Sequence, residues 1–277
     1  MIVAGREILE ECIRTKSAVP AFNIYNLETA QAALSVATQF NSPVFLAFGE
    51  KYLDGVDFYT ISAMVKSLAT LHKIPVCLHL DHCTSFNHIK EAIDAGFTSV
   101  MYDGSSLSLS ENIENTRVVA RYAHEKGVSV EAEIGGMNSE TGTDGVSPNQ
   151  LRYTVPAEAK ELVEKTKVDS LAVSVGNAHG LYKDSPHLNI QRIKEIYDST
   201  RIPLVLHGSS GIPFDQIKKA IQSGIAKINV NTELAVAGAE ACKKTAAQRL
   251  EIIMAEVKKA VIEAAKPYMK ICDSFPY

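Results

Sequence analysis

The feature of this sequence that most constrains its fold is a regular alternation of short β-rich runs and longer amphipathic segments. Several runs, such as PVFLAF and PLVLHG, are almost continuously apolar, as strands buried on both faces are. The pattern predicts strands at residues 19–24, 43–48, 76–81, 99–103, 129–134, 170–176, 203–207 and 227–231. Helical spacing of apolar residues is clearest at residues 27–39, 59–72, 111–126, 156–165 and 215–223.

Eight strand–helix units in series favour a closed (β/α)8 barrel, the TIM barrel of the α/β class. An open doubly wound sheet is the alternative, but such sheets usually have fewer strands and a glycine-rich first turn. We see no linker and no low-complexity tract, and we therefore expect one barrel domain over residues 1–277. Residues 250–270 are expected to add one or two helices outside the ring.

Charge and cysteine usage exclude several classes of function. The net charge of −4 offers no extended basic surface for nucleic acid or an anionic membrane. The N-terminal segment contains acidic residues where a secretory signal needs an apolar run, and no stretch is apolar enough to span a membrane. The five cysteines are widely spaced and form no CxxC pair, which favours reduced thiols in a cytoplasmic protein.

Polar residues follow the predicted strands at the positions where a barrel carries its chemistry, the carboxyl ends. They are Asn23, Asp81 and His82, Glu131 and Glu133, His179, His207, and Asn229 and Asn231. A single histidine of this kind is more often a hydrogen-bonded scaffold residue, and we assign no role to His72, His88, His124 or His187. Three histidines at three strand ends that face one mouth instead predict a metal site.

The ligand types narrow the choice of metal. Three neutral imidazoles from His82, His179 and His207 suit zinc in an open catalytic site, although cobalt, manganese or iron could also bind. Strand alternation predicts that His79 and His82 point to opposite faces, and that Asp81 cannot easily share a metal with its neighbour. We interpret Asp81 as an acid/base beside the metal; the alternative is a carboxylate that orients a ligand histidine.

Glycine-rich turns after the last two strands predict an anion site. HGSSGIP leads into a helix that starts near Pro213, and in NVNTEL either Asn231 or Thr232 caps the next helix. Backbone amides at helix starts bind anions, and barrels often hold phosphate in the loops after strands seven and eight. Tight turns need glycine for other reasons, so the evidence depends on two such turns lying side by side.

The motifs AFNI, LHLDHC, SVEAEIG, LAVSVGNAHGLYK, PLVLHGSSGIP and KINVNTEL, in this order and spacing, resemble the class II ketose-bisphosphate aldolases. The resemblance runs from about Ala18 to Glu233 and is nearest to the tagatose- and fructose-bisphosphate aldolase branch. It implies zinc-dependent, reversible cleavage of a ketose (bis)phosphate to dihydroxyacetone phosphate and an aldehyde through a metal-stabilised enediolate. It also implies a homodimer or homotetramer.

The resemblance also assigns roles to individual residues. It implies zinc on His82, His179 and His207, Asp81 as the acid/base, and Glu133 as an alternative metal contact. Backbone oxygens near Gly180 and Gly208 would hold Na⁺ or K⁺. The residues implied to bind substrate are Asn23, Gly180, Lys183, Gly208, Ser209, Ser210, Asn229, Val230, Asn231 and Thr232.

Two departures from the family pattern concern proton transfer at carbon and the binding of the distal phosphate. The loop after the fifth strand is GGMNSETGTDG, where the family glutamate that acts at carbon aligns with Thr141; Glu140 is our candidate and Asp144 the reserve. Ala235 stands near where many relatives carry a cation for the distal phosphate, and Asn231 stands where many have aspartate. The acceptor aldehyde could therefore lack a phosphate, or Arg152 or a neighbouring subunit could supply the charge.

Two other classes of function remain as alternatives. A metal-dependent epimerase or hydrolase on the same barrel would need a carboxylate-rich metal site, which the three histidines argue against. A sugar-phosphate-binding protein without catalytic activity would be consistent with the altered loop.

Overall fold

The computed structural model describes residues 1–136, 153–178, 180 and 186–275. Within these residues the strands form a closed barrel in which each strand runs parallel to the next and the last pairs with the first. The predicted (β/α)8 fold is therefore confirmed. The strands are β1 (Val19–Asn23), β2 (Val44–Gly49), β3 (Val76–Cys83), β4 (Ser99–Tyr102), β5 (Ser129–Ile134), β6 (Ser170–Val173), β7 (Leu204–Leu206) and β8 (Ile225–Val230).

Helices surround this barrel, and their apolar faces pack against the strands. They are α1 (Gly5–Thr15), α2 (Leu27–Gln39), α3 (Phe58–Ala69), α4 (Phe86–Ala95), α5 (Leu109–Glu125), α6 (Pro156–Thr166), α7 (Ile190–Thr200), α8 (Phe214–Gln222), α9 (Thr232–Thr245) and α10 (Leu250–Cys272), with a 3₁₀ turn at Glu50–Tyr52. The predicted extra C-terminal helix is α10, which packs on α2, α9 and β1. No helix in the described ranges has both the length and the apolar composition needed to span a bilayer.

Helix α1 was missed by the sequence prediction because it precedes the first strand–helix unit. Its buried residues Ile8, Leu9 and Cys12 pack against Val19 and Cys77, which lie at strand starts. This contact closes the amino-terminal end of the barrel. The opposite, carboxyl-terminal end is therefore the one that can hold a substrate.

Strand β6 ends three residues earlier than predicted because side chains replace its backbone ladder. The Ser174 amide donates to Thr154 Oγ1 at 2.9 Å, and the Val175 amide donates to Asn177 Oδ1 at 2.8 Å. These bonds turn the chain out of the sheet directly before His179, which lies outside the described residues.

Candidate metal and substrate site

The end of β3 departs from regular strand geometry at His82. This residue has φ +47°, a left-handed conformation that non-glycine residues rarely adopt, and the β3–β4 register shifts between Leu80 and Cys83. His79, buried inside the barrel, contacts Lys227, while the ring of His82 lies 4.6 Å from that of His207. The predicted opposite orientation of His79 and His82 is therefore wrong, because the left-handed residue breaks the alternation and turns His82 back to the mouth.

The Asp81 carboxylate lies between two amide donors. Asn23 donates to Oδ2 and Asn229 donates to Oδ1, both at 3.0 Å. Burial by itself raises the pKa of Asp81, but the positive charge of neighbouring His82 outweighs it and holds that pKa well below its usual value. Asp81 is therefore an ionised carboxylate with a fixed orientation at the carboxyl-terminal end of the barrel.

A second carboxylate, Asp103, orients His82. His82 Nδ1 lies 2.8 Å from Asp103 Oδ2 and 3.7 Å from Glu133 Oε2. Burial lowers the pKa of His82, but Asp81 and the hydrogen bond to Asp103 outweigh this effect and raise it to about 10. A metal ion that binds His82 must therefore displace a proton. Asp103 follows β4 directly and so obeys the same strand-end rule, but no sequence motif indicated it.

His207, at the end of β7, is fully buried and is oriented from within the barrel. Its Nε2 lies 2.9 Å from Glu131 Oε1, so this nitrogen carries the proton that the carboxylate accepts. Its Nδ1 lies 3.4 Å from the Asn229 amide nitrogen, which can only donate. The lone pair of His207 is thus on Nδ1, on the side of Asp81.

These groups fit a divalent metal ion by position and by chemistry. Ligand atoms of Asp81, His82 and His207 lie within 4.8 Å of one another, and so do those of His82, Asp103 and Glu133. Among the described residues, buried Glu133 Oε2 has no hydrogen-bond partner. Burial and the nearby charge of Asp103 raise the pKa of Glu133 well above its usual value, as expected where a cation would otherwise balance it.

The structure places the predicted metal residues as follows. At the mouth, His82 lies within ligand distance of His207 in one group of side chains and of Glu133 in another, as the strand-end rule requires. Asp81 also lies within ligand distance of the two histidines, closer than strand alternation predicted.

The predicted phosphate residues lie at the exits of β6, β7 and β8. Gly180 and Gly208 both have positive φ values, +89° and +59°. Ser209 Oγ donates to the Asn229 carbonyl at 2.5 Å, which joins the two turns, and Ser210 beside it is buried. The Gly211 amide is already bonded to Glu233 Oε1 at 2.9 Å, so this amide does not contribute to an anion site. Lys183 lies outside the described residues.

The start of α9 differs from the capping prediction made for Asn231 and Thr232. Helix α9 begins at Thr232, and Asn231 occupies the cap position without a side-chain cap bond. The Asn231 side chain instead accepts a hydrogen bond from Tyr25 and lies 3.4 Å from the Tyr52 hydroxyl. The rings of Tyr25 and Tyr52 meet edge to face at 4.8 Å. These two tyrosines form one wall of the mouth, and no sequence motif indicated them.

The loop residues proposed for proton transfer at carbon, Glu140, Thr141 and Asp144, lie outside the described residues, as does Arg152. Ala235 is exposed on α9.

A closed α/β barrel that gathers imidazoles and carboxylates at the carboxyl ends of its strands is typical of a metal-dependent barrel enzyme. The sequence profile of the class-II fructose-bisphosphate aldolases matches residues 3–275. A fructose-bisphosphate aldolase of Staphylococcus aureus is 47% identical over 249 residues, which cover 87% of this chain and 85% of the relative. One from Geobacillus stearothermophilus is 46% identical over 252 residues, or 89% and 86% of the two chains.

Among solved structures, the YdjI aldolase of Escherichia coli K12 superimposes with a TM-score of 0.90 at 36% identity, covering 99% of this chain and 98% of that one. The chain therefore belongs to the class II fructose-bisphosphate aldolase family. It is a metal-dependent aldolase, a lyase that cleaves and forms a carbon–carbon bond.

Proposed function

We propose that this enzyme reversibly cleaves a ketose 1,6-bisphosphate of the fructose or tagatose type into dihydroxyacetone phosphate and an aldehyde. The observation that carries the proposal is the Asp81 carboxylate, held by two asparagine amides beside His82 and His207. The names of the relatives, fructose-bisphosphate aldolase, favour the same reaction.

The metal is proposed to be one zinc ion on His82, His179 and His207, with Glu133 as an alternative contact. Three histidine ligands leave a position open for a substrate oxygen, which suits zinc in catalytic sites. Bound there, zinc supplies a Lewis acid that withdraws electron density from the substrate carbonyl. Na⁺ or K⁺ near Gly180 and Gly208 is part of the same proposal.

Asp81 is the proposed acid/base for the hydroxyl whose oxygen becomes the aldehyde. Its depressed pKa keeps it ionised at neutral pH, so it can accept the C4 hydroxyl proton in cleavage and return it in synthesis. Asn23 and Asn229 fix its two oxygens, which limits the carboxylate to one orientation. Glu140 is the proposed group for proton transfer at carbon.

Dihydroxyacetone phosphate is proposed to lie against the exits of β6, β7 and β8. Its binding residues there would be Gly180, Lys183, Gly208, Ser209, Ser210, Asn229, Val230, Asn231 and Thr232. The α9 amino terminus supports an anion at this place, because no side chain caps it. We further propose one domain over residues 1–277 and a homodimer or homotetramer.

The test is turnover with dihydroxyacetone phosphate and a panel of aldehydes. We expect a chelator to abolish condensation and zinc to restore it, whereas borohydride with substrate leaves activity intact because no lysine forms a Schiff base. His82→Ala should lose zinc, and His72→Ala, at a histidine bonded to Thr38 outside the site, should keep it. Activity that survives chelation, or borohydride trapping at a lysine, would refute the mechanism.

A second candidate concerns the aldehyde. Tyr25, Tyr52 and Asn231 line the mouth with neutral hydrogen-bonding groups, and Ala235 carries no charge where many relatives have a cation. These observations favour an acceptor without a phosphate. A higher kcat/KM for glyceraldehyde than for glyceraldehyde 3-phosphate would support this candidate, and the reverse order would support the bisphosphate.

A further inference from the structure

One buried ion pair lies inside the barrel and has no part in the chemistry proposed above. Lys227 of β8 places its ammonium 2.6 Å from Oε2 of Glu131 on β5. The exposed fractions of the two side chains are 0% and 1%. Lysine is almost never fully buried without a partner, because an unpaired charge there is very unfavourable. Each of the two charges therefore depends on the other.

The ammonium position is determined from three directions. Besides Glu131, Lys227 Nζ contacts Nε2 of His79 at 3.2 Å and lies 5.5 Å from the centroid of the Phe45 ring. His79 Nδ1 is in turn 2.8 Å from Ser99 Oγ. Burial, together with Lys227, lowers the pKa of His79 to about 3, so His79 is neutral and accepts from the lysine. Lys227 thus has little freedom to move relative to the barrel.

Glu131 connects Lys227 to the metal and substrate site. Its Oε2 is held by Lys227, and its Oε1 lies 2.9 Å from His207 Nε2. Both oxygens of this carboxylate are thus engaged, one by the ammonium and the other by the imidazole. An ionised carboxylate behind an imidazole fixes the tautomer and ring orientation and strengthens the nitrogen on the other side as a ligand.

We propose that Lys227 is a positioning residue that acts through Glu131 to keep His207 Nδ1 directed at the metal position. The inference rests on the proposed function, in which His207 is a metal ligand. In the described part of the chain, the Lys227 ammonium contacts Glu131, His79 and Phe45, which are not among the proposed metal or substrate residues. Without its ammonium, Glu131 Oε2 keeps among the described residues only the long bond from Ser170 Oγ at 3.5 Å, so the orientation of the carboxylate toward His207 Nε2 is less strictly determined.

The variant Lys227→Met removes the charge and keeps a long side chain. Three measurements apply: the zinc dissociation constant from competition with a chromophoric chelator, the absorption spectrum of the cobalt-substituted protein, and the unfolding temperature of the metal-free protein. We expect the dissociation constant to rise about 10- to 100-fold, as for other partners of metal-bound histidines, with a changed cobalt spectrum. At saturating zinc, kcat should fall while the KM for dihydroxyacetone phosphate stays unchanged.

Lys66→Met is the matched control, because its ammonium donates to the Ala95 carbonyl at 2.9 Å, away from the site. It should leave zinc affinity and the cobalt spectrum unchanged. The double variant Lys227→Met/Glu131→Gln covers the case in which the single variant does not fold, since it leaves no unpaired buried charge. It should fold and still hold zinc weakly, because an amide is a poorer partner for His207 than a carboxylate.

Wild-type zinc affinity and a wild-type cobalt spectrum in either folded variant would overturn the role of Lys227. Failure of the proposed function is distinguishable from this result. If the wild-type protein binds no zinc in the same competition, or if His207→Ala leaves the affinity unchanged, the metal site itself is refuted. Tight wild-type binding with unaffected Lys227 variants refutes only the positioning role.

Discussion

The substitution Asp81→Asn tests whether this residue transfers a proton or binds the metal. Asparagine has nearly the same shape but cannot accept a proton at neutral pH. Loss of a positioned acid/base costs about 10²- to 10⁴-fold in rate. We therefore expect kcat for cleavage to fall within this range, with zinc content and the KM for substrate little changed.

The effect on stability can be worked out from the hydrogen bonds. The Asp81 carboxylate accepts one hydrogen bond from Asn23 and one from Asn229. An asparagine at position 81 keeps one of these bonds and loses the other, because its amide nitrogen is a donor and would face a donor. The hydrogen-bond part of the loss in free energy of unfolding is therefore about 1 kcal/mol, the typical net value of one hydrogen bond, and in the metal-free protein the loss of the attraction between this carboxylate and His82 adds to it.

The assay is coupled detection of cleavage, with zinc content and chemical denaturation measured on the same preparation. Asp198→Asn is the control for replacing an aspartate with asparagine, because Asp198 lies at an exposed position of α7, where it pairs with Lys194. A fall in rate of less than tenfold with zinc retained would refute the acid/base role. Loss of zinc in proportion to activity would instead make Asp81 a ligand, which its distance from His82 and His207 allows.

Two further predictions concern the scaffold. Gly224→Ala should lower the free energy of unfolding by about 3 kcal/mol or more, because φ is +123° and the new Cβ would lie 2.5 Å from the Tyr197 ring. Gly127→Ala, with φ +76° and nothing within 4 Å, should cost only about 1 kcal/mol, and equal losses in denaturation experiments would contradict the steric argument. In the native protein at pH 8, a thiol reagent should label Cys242, because the other four thiols are fully buried and burial raises the pKa of at least two of them to about 12. Mass spectrometry of labelled peptides checks this, and rapid labelling of a buried thiol in folded protein would be the contrary result.

Local patterns were sufficient to predict the barrel. Apolar runs and helical spacing depend on neighbours a few residues apart, so the strands and most helices can be located without tertiary information. Helix α1 has such a pattern but belongs to no strand–helix unit, and only its packing under the barrel explains its place. The strand-end rule likewise predicted that Asp81, His82 and His207 lie together, because closure of the barrel places the carboxyl ends of all strands on one side.

The orientation of the site residues could not be predicted in this way. Strand alternation failed at His82, where a left-handed residue turns the ring back to the mouth. His207 is oriented by Glu131, which is 76 positions away in the chain. Asp103 follows the strand-end rule, but nothing local shows that it is the partner of His82.

The sequence by itself determined the alternation of strands and helices, and with it which end of the barrel carries the polar residues. Only the tertiary structure decided which nitrogen of each histidine faces the site and which charges lie behind it. Asp81 and Asn229, like His79 and Lys227, are 148 residues apart and meet because the barrel closes. Pairings of this kind depend on which strands lie opposite each other across the interior, and that relation has no local signature in the chain.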